Sequence, residues 1–205
     1  MFKHIAKELR THIPFTSFGA LTGIIIMVIA VLCKAPSQIS ETIFYILHPL
    51  HIVLSAIVTT AMYKLHGGKL LRGVLIGYVG SIGIATISDT IFPYLGALLF
   101  GAQMEIHIGF IEKWWLVNPL AILGIIIGYF KPTTKIPHFG HVLLSTWASL
   151  FSLMAFGIAD WLRLLPFVFL ILFFAVWIPC CLSDIAFPLL FVKKQGNSET
   201  RITRT

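Results

Sequence analysis

Residues 48–55 read His48-Pro49-Leu50-His51-Ile52-Val53-Leu54-Ser55, and residues 138–145 read His138-Phe139-Gly140-His141-Val142-Leu143-Leu144-Ser145. The two stretches align without a gap at an offset of 90, and Thr59 then falls on Ser149. A second pair follows at an offset of 95: Ser88-Asp89-Thr90-Ile91-Phe92-Pro93 against Ser183-Asp184-Ile185-Ala186-Phe187-Pro188. A third match, Gly23-Ile24-Ile25-Ile26 with Gly124-Ile125-Ile126-Ile127, is weak, because isoleucine runs are common in an apolar chain. The first two involve His, Ser, Asp and Pro in the same order. Two polar signatures in register mark an internal duplication.

The material between these signatures is apolar. Of the 205 residues, 58% are hydrophobic and 11% charged. A soluble domain carries about a quarter charged residues, so this chain cannot coat a globule with polar groups. Intrinsic disorder needs the opposite composition. Six apolar stretches stand out, at about 13–33, 43–63, 71–92, 114–130, 138–157 and 165–191. A membrane-crossing helix needs about 20 residues. The third and sixth stretches are long and carry Pro93, and Pro179 with Pro188, so they are expected to span and then break or kink, with 94–102 as a short interfacial or re-entrant piece. Residues 3–10 are basic and precede the first run, as in a secretory leader, but that run is too long for a leader core and is read as a retained span.

The net charge of +7 is a topology signal. With six crossings, one side carries 12 of the 15 Lys and Arg residues, at the N-terminus, in loops 64–72 and 131–137, and after residue 192; the other side carries Lys34, Lys113 and Arg163. Basic loops stay in the cytoplasm. Both termini are therefore expected to be cytoplasmic, in a cell inner membrane. The expected fold is an all-α integral membrane protein of six transmembrane helices, forming one membrane domain over 1–205 with a short cytoplasmic tail at 193–205. Its two three-helix repeats run from about 13 to 102 and from about 105 to 192. Three helices per repeat give the halves opposite orientation, an inverted repeat of the kind that transporters use.

Residues 48, 51, 55 and 59 advance by about 100° per residue on a helix and stay within an arc of about 80°. His138, His141, Ser145 and Ser149 do the same. Such a stripe must face protein or water, because unpaired polar groups in lipid are costly. Imidazole and carboxylate suit Zn²⁺, Mn²⁺ or Fe²⁺. The candidate ligands are His48, His51 and Asp89 toward the outer face and His138, His141 and Asp184 toward the inner face, with His107 added from the outer loop 101–113 beside Glu105 and Glu112. Interhelical packing explains the histidines about as well, and a helix-end cap explains the two aspartates nearly as well. Cys180 and Cys181 stand one turn before Asp184, where thiolates could join the inner histidines, although a buried cysteine more often acts as a small hydrophobe. Gly73, Gly77, Gly80 and Gly83 allow close packing of the third helix.

The sequence holds no P-loop and no dinucleotide fingerprint, and nothing points to nucleic acid. It points first to a small secondary transporter or channel for a divalent transition metal ion, with His/Asp clusters at both membrane faces. The partners are then the lipid bilayer and a small inorganic ion or solute, and a homo-oligomer is compatible. Two alternatives stay open. One is a membrane-embedded metal-dependent enzyme using the outer cluster. The other is a non-catalytic scaffold. Haem is disfavoured, since two histidines one turn apart cannot be trans ligands of one iron.

Overall fold

The computed structural model describes residues 2–132, 135–181 and 187–191. The protein is predominantly helical. Helix α1 covers Phe2–Leu32, α2 Ser37–Leu65, α3 Leu70–Thr86, and α4 Phe92–Leu99. A short α5, Gly109–Glu112, precedes α6 at Trp114–Phe130; α7 spans Lys135–Phe156, α8 Leu165–Cys181 and α9 Phe187–Leu190. Four helical stretches are long and apolar enough to cross a membrane: His12–Leu32, Ser37–Leu65, Leu70–Leu99 and Phe139–Phe156. Trp114–Phe130 and Leu165–Cys180 are shorter apolar helices. At about 1.5 Å per residue, 17 residues reach about 25 Å, a little less than the hydrocarbon thickness.

Large apolar side chains stand on the outside, as expected of surfaces in lipid rather than water. Leu21, Ile25, Ile29 and Leu32 line one such face of α1. The interior is built around α2, which packs on α3, α6 and α7, while α7 also packs on α1 and α8. The first helix of the chain, α1, leans on α7 and α8; α6 leans on α2 and α3. Among the described residues three apolar clusters fill the space between. One includes Met27, Phe44, Leu150 and Leu172, a second Ile52, Ile82, Val117 and Ala121, and a small third Val142, Val176 and Cys180. A two-residue ladder, Gln103–Met104 antiparallel to Gly157–Ile158, ties the segment after α4 to the end of α7.

Close approach depends on glycine. A Cβ on Gly124 would lie 2.8 Å from the Ala56 Cβ, and one on Gly128 would lie 2.9 Å from the Ile57 Cα, so α6 sits directly on the backbone of α2. Gly77 and Gly80 of α3 are equally confined, Gly77 by the Thr60 hydroxyl and Gly80 by Phe187 and Thr59. Gly83 faces open space, so close packing accounts for only part of the α3 glycine series.

The expected break at Pro93 does not occur. Helix continues from Leu70 to Leu99, passing through one wide π-helical turn at Ile87–Ile91. In that turn the Phe92 N–H bonds back to the Ile87 carbonyl, five residues away. The same pattern would ask Pro93 to donate to Ser88, and proline has no N–H. The Ser149 hydroxyl of α7 stands 2.9 Å from that Ser88 carbonyl and 2.8 Å from its own Ser145 carbonyl. A neighbouring helix thus satisfies the freed acceptor, and the chain has no reason to break. Residues 94–99 are correspondingly part of this helix and not a re-entrant piece. In the last segment, α8 runs past Pro179 to Cys181; residues 182–186 lie outside the described residues.

Candidate functional site

The wide turn of residues 87–91 presents Asp89 to the interior, where it is 0% exposed. Its two oxygens divide the work. Oδ2 accepts from Nδ1 of His48 at 2.9 Å and from Nδ1 of His51 at 2.7 Å. Oδ1 accepts from the hydroxyls of Ser88 and Ser145, each at 2.7 Å. Four donors on one buried carboxylate are the condition under which a buried charge is tolerable. Three segments converge here: α2 supplies both histidines, the π turn supplies Ser88 and Asp89, and α7 supplies Ser145 and Ser149.

A carboxylate only accepts hydrogen bonds, so each histidine must carry its proton on Nδ1. In the neutral ring, Nε2 then bears the lone pair. Both Nε2 atoms are buried and have no hydrogen-bond partner. A carboxylate that fixes the tautomer of an imidazole while the opposite nitrogen stays available is the usual support of a metal-binding histidine. Both oxygens of Asp89 are thereby engaged by donors.

His141 joins this group. Its ring stacks on His51 with centroids 5.6 Å apart and planes within 8°. Donor atoms of His51, His141 and Cys180 all lie within 4.8 Å of one another, and all three residues are buried. The Cys180 thiol is 3.6 Å from the Ser145 hydroxyl, which connects it to Asp89. The two polar stripes touch at His51 and His141. They meet, because α2 and α7 pack on each other along the stripes themselves. The side chains of His138 and Cys181, together with Asp184, lie outside the described residues.

His48 continues the cluster toward the loop that ends in α5. It stacks on Phe44 at 5.2 Å, and a Cβ added to Gly109 would stand 3.1 Å from its Nε2. His107 is elsewhere. Its Nδ1 is 3.1 Å from Glu112 Oε1, its Nε2 is 3.6 Å from Glu105, and its ring stacks on Phe156 at 4.1 Å. Among the described residues no hydrogen bond or ion pair connects it with His48, His51 or Asp89. Glu112 also accepts from the Tyr45 hydroxyl, and Lys113 lies over the Tyr45 ring at 5.1 Å. The outer Glu105/His107/Glu112 group is thus a surface network above the buried one.

The spacing of Ser145 and Ser149 marks a polar stripe but gives no sign that they donate to Ser88 and Asp89, and Cys180 reads by its type as a small hydrophobe. No protein family, curated protein or solved structure matches this chain. The geometry of the buried cluster is what speaks for function.

Proposed function

We propose that the chain is a small secondary transporter or channel for a divalent transition metal ion, which passes through the buried histidine cluster between two inverted three-helix halves. One observation carries this. Two histidines are held by a single carboxylate so that both present an unpartnered Nε2 inside a fully buried space. A structural role would have spent those nitrogens on neighbours, since an unmet buried acceptor costs about 1–3 kcal/mol. A divalent ion uses them.

The frame supports the same reading. Pairing of α1 with α7 and α8, and of α6 with α2 and α3, is the pattern that exchange of two related halves would produce. With α6 and α8 counted as crossings, the chain spans six times, both termini face the cytoplasm of an inner membrane, and the cluster lies where the halves meet. Helix irregularities at the site, the π turn and Pro93, are the kind that transporters place at ion-binding positions.

Reconstitution into proteoliposomes tests this. Zn²⁺ and Mn²⁺ flux is followed with an internal indicator at several pH gradients, for wild type and for His51→Ala and His141→Ala. Wild type should move at least one of the ions, and both variants should stop the flux, because the two rings share one cluster. A wild-type protein that moves neither ion under any gradient refutes the proposal.

A further inference from the structure

We infer that Cys180 is a ligand, together with His51 and His141, of a site for a thiophilic divalent ion of the Zn²⁺ class. The inference rests on the metal-transport reading and narrows its cargo. Donor atoms of the three residues lie within 4.8 Å of one another, and all three are buried. Two imidazole nitrogens and one thiolate around a tetrahedral ion, at about 2.0–2.3 Å from it, would stand about 3.3–3.6 Å apart. A contraction of at most about 1.5 Å closes the set around an ion of that radius.

Three features single out these atoms. The first is the tautomer of His51: its Nδ1–H donates to Asp89 at 2.7 Å, so the Nε2 lone pair is available, and this atom is buried without a partner among the described residues. The second is donor chemistry. Two imidazoles and a thiolate favour Zn²⁺, Cd²⁺ or Co²⁺, whereas Mg²⁺ and Mn²⁺ prefer oxygen. The third is charge. A divalent ion bound by one thiolate beside the Asp89 carboxylate leaves the site close to neutral, which a dry interior demands. The Ser145 hydroxyl, 3.6 Å from Sγ and 2.7 Å from Asp89 Oδ1, joins the sulfur to that carboxylate. His48 shares the Asp89 Oδ2 with His51, and its own unpartnered Nε2 lies beside Gly109.

The test uses the full chain in detergent, in a Cys33→Ser/Cys181→Ser background that leaves Cys180 as its one thiol. Titration with Cd²⁺ should raise a thiolate-to-metal charge-transfer band in the ultraviolet that saturates at one ion per chain. Zn²⁺ should displace Cd²⁺, and Mn²⁺ should not. Adding Cys180→Ser should remove the band and weaken Cd²⁺ binding by at least ~100-fold, the upper end of what loss of a mere supporting group does. Far-UV circular dichroism confirms that this near-isosteric variant is folded, and Cys180→Asp, which restores an oxygen donor, should bind Cd²⁺ without the band. Stoichiometric Cd²⁺ binding that His51→Ala abolishes, with no band at saturation, overturns the role of Cys180 and leaves the transport reading standing. A protein that binds none of Cd²⁺, Zn²⁺ and Mn²⁺ overturns both.

Discussion

Asp89 offers the sharpest perturbation, because two substitutions at this position separate shape from charge. The carboxylate accepts four hydrogen bonds, from His48, His51, Ser88 and Ser145, and is fully buried. Asp89→Ala takes the acceptor from all four donors in a buried place, and strands the two imidazole N–H groups outright. Each lost bond costs about 1–3 kcal/mol, so the loss is at least about 4 kcal/mol. Against a total stability of roughly 5–15 kcal/mol, that is enough to unfold much of the population. Asp89→Asn keeps the shape. Its carbonyl oxygen can take both imidazole protons, while its amide faces two hydroxyls that are able to turn and accept. The Ser88 hydroxyl already has the Ala85 carbonyl within 3.3 Å as an alternative acceptor. What Asn loses is the charge assistance of the two imidazole bonds, about 1 kcal/mol each, or about 2 kcal/mol in all. Thermal unfolding of the detergent-purified protein, followed by circular dichroism, should therefore rank wild type above Asn and Asn well above Ala. Metal affinity of the Asn variant should fall about 10–100-fold although the fold survives. An Ala variant within 1 kcal/mol of wild type, or an Asn variant as unstable as Ala, would show that Asp89 is not the hub described here.

Ser149→Ala should cost about 1–3 kcal/mol by leaving the Ser88 carbonyl unpaired opposite Pro93. Adding Pro93→Ala returns an N–H to that carbonyl, so the double variant should be more stable than Ser149→Ala alone; simple additivity in a double-mutant cycle would refute the role of Ser149. Gly109→Val must push the loop off His48, since even its first carbon would meet the ring at 2.8 Å, and metal loading should become faster or weaker while α2 and α7 keep their stability. Gly128→Val should be severely damaging in α6, because its nearest neighbours are all backbone of α2 and cannot move aside; an unchanged unfolding temperature would contradict the packing. In cysteine-accessibility scanning, residues 34–36 and 101–108 should label from one side of the membrane and 66–69 from the other. Labelling of all three from one side would remove the inverted arrangement.

Much of this was legible in the order of residues. The spacing of His48, His51, Ser55 and Thr59 announces a polar helix face, and the repeat at His138 announces a second. Apolar length finds the helices, because hydrocarbon thickness constrains them directly, but not their ends: α1 begins at Phe2, α2 at Ser37, and the third helix runs on to Leu99. What one dimension cannot carry is which face meets which. The stripes of α2 and α7 were assigned to opposite membrane faces because their positions along the helices suggested it, and only packing brings His51 onto His141. Cys180 reads as a hydrophobe until α8 is laid beside α7, where its sulfur comes within reach of Ser145. Proline rules predict a break at Pro93 on local grounds, and the Ser149 hydroxyl that removes the need for one comes from 56 residues away along the chain. Gly124 and Gly128 carry a four-residue spacing that was visible but sat in a run read only as apolar.

The π turn at Ile87–Ile91 makes the site depend on counting. A wide turn of this sort holds one residue more than regular helix needs over the same rise. Removing a single residue, Thr90 for instance, would let the backbone close into an ordinary helix with every local preference satisfied. Residues Phe92 to Leu99 could then keep their place, because the rise over the turn is unchanged. The loss would fall on the turn itself, where the wide backbone that now carries Ser88 and Asp89 into the interior would be gone. Changes of side chain in this stretch are open to compensation by their neighbours; a change in the number of residues between Ser88 and Pro93 is not.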